Sequence, residues 1–104
     1  MKKLDKDEVL LLFQQAEQLW GKDFQILMAI EEMAELTQEL IHYLRDNKKV
    51  TYENFVGEVA DVLIMIEQIQ HMFNINEMVA AKREEKLIRL RGMIRIAKLS
   101  KQNK

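Results

Sequence analysis

The chain has 104 residues, of which 48% are hydrophobic and 32% charged, and its formal net charge is −1. This composition is typical of one small globular domain rather than of a disordered segment. The absence of cysteine excludes a disulfide scaffold, thiolate metal sites and cysteine nucleophiles, and it fits a cytoplasmic protein. No apolar run is long enough to span a bilayer, so no membrane partner is expected.

The spacing of apolar residues predicts an all-α chain of four helices. No proline and only three glycines occur, which favours long uninterrupted helices. Asp5 or Asp7 is expected to cap the first helix, Gly21 to end it and Thr51 to cap the third. The expected bounds are about Asp7–Trp20, Asp23–Arg45, Tyr52–Met72 and Asn76–Lys98, with a polar turn at 46–49.

The connections between these helices are short, which favours antiparallel neighbours. The expected architecture is therefore one four-helix bundle-like domain over residues 1–104, with a flexible basic tail from about 99 to 104. The third helix is apolar on nearly every side, and the other three helices of so small a domain cannot cover it. A homodimer or a dimer of dimers is therefore expected, with the functional site lined partly by the partner.

The second helix concentrates negative charge. Glu31, Glu32, Glu35 and Glu39 lie within nine residues, and no Lys or Arg follows them before Arg45. Like charges at this spacing oppose each other by a few tenths of a kcal/mol per pair. The apolar stripe of the helix lies on another side, through Ile26, Ile30, Met33, Thr37, Leu40, Ile41 and Leu44. Taken alone, this pattern indicates an acidic, solvated face.

The third helix changes this interpretation, because Glu58 and Asp61 interrupt an otherwise apolar sequence. A buried carboxylate must be protonated, paired or metal-bound, and no Lys or Arg lies at i±3 or i±4 of either residue. Packing this pair against Glu32 and Glu35 would gather four carboxylates, which a hard divalent ion neutralises. Mg²⁺, with Mn²⁺ as a substitute, prefers such oxygen ligands. The neighbouring Gly57 suggests close approach of a backbone or ligand, or tight helix packing.

The pattern Glu31-Glu32-x-x-Glu35, followed on the next helix by Glu58-x-x-Asp61, resembles the signature of the MazG-type all-α nucleoside triphosphate pyrophosphohydrolases. Each ExxE or ExxD alone is a weak signal, but two of them on consecutive helices are more specific. The resemblance implies Mg²⁺-dependent cleavage of a nucleoside triphosphate between the α and β phosphates, which gives the monophosphate and pyrophosphate. It also implies a house-cleaning role towards non-standard nucleotides or a link to stringent-response control.

By position in the motif, the resemblance implies that Glu32, Glu35, Glu58 and Asp61 hold the metal. It leaves open which carboxylate orients or deprotonates the attacking water, which could be Glu31 or one of those four metal ligands. On the second helix, the catalytic candidates are Glu31, Glu32 and Glu35. The likeness extends over most of the chain and includes the helix order and a basic helix after the acidic pairs.

On that basic fourth helix, Lys82, Lys86 and Arg89 share one helical stripe. They match the place where such proteins keep phosphate-binding groups, which would neutralise charge on the transferred phosphoryl and the leaving pyrophosphate. Many relatives have an Asn after a Lys in this helix, whereas Leu87 follows Lys86 here. One phosphate or base contact is therefore missing or supplied from elsewhere.

Other interpretations compete with this one. Glu39-x-x-His42 is an element of di-iron bundles, but the other histidine, His71, lacks the matching carboxylate. A non-catalytic helical interaction module is the main alternative, either a methionine-rich adaptor or a binder of nucleic acid through the basic fourth helix, with nucleic acid the less favoured partner. Trp20, Phe24 and Tyr43 are candidates for stacking on a base, with Trp20 and Phe24 the main ones, although core or interface packing is the commoner role of aromatic residues.

Overall fold

The structure, a computed structural model, describes residues 2–46 and 51–102. In these ranges it has four helices and no strand, which confirms the all-α prediction. They are α1 (Lys6–Trp20), α2 (Lys22–Arg45), α3 (Tyr52–Met72) and α4 (Asn76–Gln102). The predicted bounds hold to within one residue except at the end of α4, which continues four residues past Lys98 into the predicted tail. None of the described helices is both long and apolar enough to cross a bilayer.

Local capping explains where α1 begins and ends. The Asp5 carboxylate accepts a hydrogen bond from the Glu8 backbone N–H at 2.8 Å, and the Glu8 carboxylate accepts one from the Asp5 N–H at 3.1 Å. This reciprocal capping box satisfies two N–H groups at the helix start. Gly21, at φ 88°, separates α1 from α2 in a conformation that other residues rarely adopt. Thr51 precedes α3 but makes no side-chain capping bond, and the predicted turn beyond Asp46 lies outside the described residues.

The chain divides into two compact units, Met1–Asn74 and Ile75–Lys104. In the first unit α1, α2 and α3 all contact one another, and the contact between α2 and α3 is the most extensive. The rings of Phe13 and His71, 6.2 Å apart, join α1 to α3, and Lys22 Nζ lies 4.1 Å above the Phe73 ring. Helix α4 forms the second unit. The four-helix bundle and the single domain therefore stay predictions.

Helix α2 turns two acidic side chains inwards together with apolar ones. Buried Gln25 and Ala29 are followed at helical spacing by half-buried Glu32, Leu36 and Glu39. The predicted apolar stripe is largely exposed, with 54% of Ile30 and 68% of Leu44 open to solvent. The solvated acidic face that this helix indicates on its own is thus not observed for Glu32 and Glu39, whereas the expected packing of Glu32 against Glu58 and Asp61 is observed.

The inner face of α3 is centred on buried Val62, with half-buried Glu58 and Met65 on the same side. Asp61 is exposed, so its expected burial is wrong: it lies at the edge of the contact with α2 rather than beneath it. In the described part of the chain, Ala29 and Val62 are the only apolar residues that are buried. One copy of the first unit therefore leaves the outer faces of α2 and α3 uncovered.

Gly57 lies within α3, and a Cβ added there would meet no atom within 4 Å. Within the described residues, neither a close backbone approach nor tight packing explains this glycine. Gly57→Ala is therefore expected to raise the free energy of unfolding by about 1 kcal/mol, because alanine loses less backbone entropy in a helix. Urea unfolding followed by circular dichroism measures the change. A loss of stability or of assembly would instead mean that a second chain or a ligand approaches Gly57.

Candidate metal centre

Three carboxylates converge where α2 packs against α3. Glu32 on α2 and Glu58 and Asp61 on α3 each offer an oxygen atom, and these atoms lie within 4.8 Å of one another. Among the described residues, this acidic triad is the one group of three or more such ligands that converges in this way. The structure thus brings together three of the four predicted metal ligands, from both helices.

The triad contains carboxylate oxygens that lack partners. Oε2 of Glu32 and Oε2 of Glu58 are both buried, and neither has a hydrogen-bond partner. A buried, unpaired carboxylate oxygen is unfavourable because it has lost its water without gaining a donor. A cation placed between these atoms would remove this penalty.

The electrostatics of the triad favour protons or a cation. Burial is the largest cause of the raised pKa of Glu32, followed by the charges of Glu35, Asp61, Glu58 and Glu31. Burial also comes first for the raised pKa of Glu58, followed by the charges of Glu35 and Asp61 and a hydrogen bond with the Glu35 side chain. Both carboxyl groups therefore resist ionisation more than a solvated glutamate does.

Glu35, the fourth predicted ligand, is exposed and lies outside the triad, although its charge acts on both Glu32 and Glu58. Glu31 is exposed, and its charge is the smallest of the causes that raise the pKa of Glu32. Helix α2 thus contributes Glu32 to the triad, whereas Glu31 and Glu35 lie outside the triad and act on it through their charges.

Glu39 is a site residue that the sequence analysis did not select. It is half-buried, and its charge adds to the raised pKa of Glu58. Its position four residues after Glu35 and seven after Glu32 placed it on the same side of the helix, which was a usable signal. The histidines of the di-iron alternative do not join the converging group, since His42 is exposed and His71 packs on Phe13.

The predicted phosphate-binding residues Lys82, Lys86 and Arg89 are exposed on α4, in the second unit. Lys82 Nζ lies 3.2 Å from a carboxylate oxygen of Glu85, an exposed ion pair of the kind that contributes little to stability. Lys82 and Lys86 also border a shallow, mainly apolar depression along α4. Their role towards phosphate stays a prediction.

The predicted base-stacking residues Trp20 and Phe24 contact each other where α1 passes into α2. Their ring centroids are 6.4 Å apart, with the rings tilted by 41°, and both side chains are exposed. Their role towards a base also stays a prediction.

The donor set of the triad consists of carboxylates alone, without imidazole or thiolate. Such oxygen ligands suit a hard divalent ion such as Mg²⁺ or Mn²⁺. The two buried Oε2 atoms without partners agree with this chemistry. The residues present therefore fit a divalent cation.

Comparison with known proteins identifies no counterpart, because no protein-family model, no curated protein and no solved structure matches the chain. The resemblance to the MazG-type enzymes therefore depends on the motif residues alone. Function has to be argued from the geometry and chemistry of the site.

In the absence of divalent ions, the triad is expected to make the folded protein less stable as pH rises. The pKa values of Glu32 and Glu58 are raised above 4.5 in the folded state, so the folded protein binds more protons than the unfolded chain above about pH 4.5. Their favourable contribution is complete below that pH and declines as pH rises through the raised pKa values. Thermal unfolding in EDTA between about pH 4 and 8 measures this decline.

Glu58→Gln should flatten the pH dependence of Tm and raise Tm at neutral pH in EDTA. The Gln amide, unlike the Glu carboxylate, carries no charge where α2 packs against α3. Glu67→Gln, on an exposed face of the same helix, is the matched control and should behave as wild type. Equal pH profiles for wild type and Glu58→Gln would contradict the prediction.

Proposed function

We propose that the protein is a Mg²⁺-dependent nucleoside triphosphate pyrophosphohydrolase of the cytoplasm, which hydrolyses its substrate to the monophosphate and pyrophosphate. The observation that carries the proposal is the acidic triad, in which carboxylate oxygens within 4.8 Å of one another include buried atoms without partners. The spacing of the two acidic pairs on consecutive helices adds the substrate class, since it resembles the MazG-type signature. A role in clearing non-standard nucleotides follows from the same resemblance.

In this proposal Glu32, Glu58 and Asp61 hold the metal, and Glu35 contributes from the margin of the triad. A bound Mg²⁺ supplies Lewis-acid polarisation of phosphoryl oxygens and charge neutralisation. Glu35 is our candidate for the general base, because it is exposed to water yet close enough to Glu58 to share a hydrogen bond. Glu31, exposed next to Glu32, is the alternative base.

The substrate carries several negative charges towards a site that is itself acidic, so cationic side chains are needed in addition to the metal. Lys82, Lys86 and Arg89 are our candidates for this role, as exposed cations on one stripe of α4. Lys82 would exchange its ion pair with Glu85 for a phosphate oxygen.

We also propose that the protein assembles as a homodimer or a dimer of dimers. The support is the large apolar area on the outer faces of α2 and α3, where Ile30, Leu44 and Leu63 are each more than half exposed. Exposed apolar side chains in such numbers favour burial against a partner. A partner chain that covers these faces would provide the core that one copy lacks.

The decisive assay incubates the protein with a panel of common and modified nucleoside triphosphates, with and without Mg²⁺ or Mn²⁺, and scores pyrophosphate separately from orthophosphate. Metal-dependent pyrophosphate release is expected. Glu35→Gln and Asp61→Asn should each lower kcat/KM by at least about 100-fold, because metal and base contribute several kcal/mol to the transition state. Glu67→Gln, an exposed carboxylate change on α3 outside the triad, should leave turnover unchanged.

Metal binding is checked separately by thermal unfolding. At 100 times its Kd, Mg²⁺ should stabilise the wild type by about 2.7 kcal/mol and Asp61→Asn by much less. If no substrate releases pyrophosphate and Mg²⁺ does not shift Tm, the carboxylates are not a working metal site, and the interaction-module hypothesis takes precedence.

Assembly is tested by light scattering coupled to size-exclusion chromatography. Ile30→Lys should lower the molar mass from that of an oligomer towards that of one chain, because it places a charge in the exposed apolar stripe of α2. Gln38→Lys, at an exposed polar position on the same helix, is the matched control and should keep the oligomer. A monomeric wild type at high protein concentration would contradict this prediction.

A further inference from the structure

A second feature of the groove between α2 and α3 is a concave surface of about 250 Å³ lined by Leu40, Tyr43, Tyr52 and Phe55. We name it the aromatic cavity, since three of its four lining residues carry rings. Its volume lies below the ~300–1,000 Å³ of cavities that enclose whole drug-sized ligands. It suits a single planar ring system that is attached to a larger, more polar molecule lying outside.

The aromatic cavity is closest to the acidic triad along α3. Phe55 and Tyr52 precede Glu58 by three and six residues, which is about 4.5 and about 9 Å along the helix axis. On α2, Leu40 and Tyr43 follow Glu32 by eight and eleven residues, about 12 and about 16 Å along the helix axis. Along α3 the cavity therefore begins about one helical turn from the triad, a distance comparable to the ribose that separates a phosphate from its base in a nucleotide.

We propose that the aromatic cavity binds the base of a nucleotide whose phosphates meet the acidic triad. The choice of a nucleotide as ligand rests on the proposed function. The chemistry of the lining supports a base in particular, because Tyr43, Tyr52 and Phe55 offer ring faces on which any nucleobase can stack. The groove between α2 and α3 thus has an acidic end and an aromatic end, just as a nucleotide has a phosphate end and a base end.

The lining also limits base discrimination. Among the described residues that line the cavity, the side-chain polar groups belong to two tyrosines, Tyr43 and Tyr52, whereas Leu40 and Phe55 have none. A site with few hydrogen-bonding groups discriminates poorly between planar ligands of similar size. Nucleotides with different bases should therefore bind within about tenfold of one another, while a sugar phosphate without a base should bind more weakly.

Trp20 and Phe24, two of the aromatic residues selected from the sequence, lie towards the other end of α2. Phe24 precedes Glu32 by eight residues, about 12 Å along the helix axis, and Leu40 follows Glu32 by the same number. On α2 the two locations are therefore equally far from the triad, and it is Phe55 on α3 that brings the aromatic cavity within about one turn of Glu58. The two locations predict different mutational effects.

The test measures binding rather than turnover. Full-length wild type, Tyr52→Ala, Tyr52→Trp and Phe24→Ala are titrated calorimetrically with AMP, GMP, CMP and UMP, and with ribose 5-phosphate as the ligand without a base, each in Mg²⁺. Tyr52 is 79% exposed, so its removal should leave the fold intact, which circular dichroism verifies. Phe24→Ala tests the rival base-stacking position, an exposed aromatic side chain at the opposite end of α2.

The proposal expects Tyr52→Ala to weaken monophosphate binding about tenfold, equivalent to ~1.4 kcal/mol, and to leave ribose 5-phosphate unaffected. Tyr52→Trp should restore binding, and Phe24→Ala should bind as wild type. The proposal is overturned if Tyr52→Ala binds nucleotides normally or if Phe24→Ala is the only variant that weakens nucleotide binding. It is also overturned if nucleotides bind no better than ribose 5-phosphate. A Tyr52→Ala variant that dissociates an oligomer without changing the affinity per chain would overturn it as well.

These outcomes are independent of the proposed activity. Pyrophosphate release that is unaffected by Tyr52→Ala at low substrate concentration would keep the hydrolase proposal and reject the base site. Base-dependent binding that requires Tyr52, without any pyrophosphate release, would keep the base site and reject the hydrolase proposal.

Discussion

Repulsion between carboxylates that face each other across the groove between α2 and α3 is the constraint on which the rest of this structure depends. Glu32 and Glu58 occupy half-buried positions that a small helical unit normally fills with apolar side chains, and burial and neighbouring charges raise both pKa values. The most extensive helix contact of the first unit is therefore built around charge. Protons or a cation must neutralise it, so folding stability and ligand binding are coupled at the same atoms.

The same packing accounts for the exposed apolar surface. Because α2 directs Glu32 and Glu39 inwards, its apolar stripe is left on the outside, and a core of Ala29 and Val62 is small for a unit of this size. An assembly that covers the outer faces would supply the missing burial and permit a polar inner groove. In this view the acidic site and the self-association proposed for the protein have one cause. The orientation of α2 about its own axis places acidic side chains towards α3 and leaves the apolar stripe on the outside.

The two ends of the groove between α2 and α3 differ in chemistry. The acidic triad lies next to the aromatic cavity, and α2 and α3 contribute to both. A ligand with phosphates at one end and a planar ring at the other would match the charge of the first region, through a cation, and the apolar rings of the second. This polarity, rather than any single residue, links the chemistry of hydrolysis to the recognition of a nucleotide.

The sequence by itself determined the local structure: the capping box of Asp5 and Glu8, the break at Gly21 and the helix bounds arise from hydrogen bonds between residues at most four apart. It also identified the acidic pairs, because Glu58 and Asp61 stand out in an apolar helix and Glu32 and Glu35 have the same spacing on the helix before it. The tertiary structure alone decided which side of α2 faces inwards, that Asp61 is exposed, and that Tyr43 and Tyr52 line one cavity. A helical wheel orders side chains around one axis, but the rotation of that axis against its neighbours depends on contacts between residues far apart in the chain.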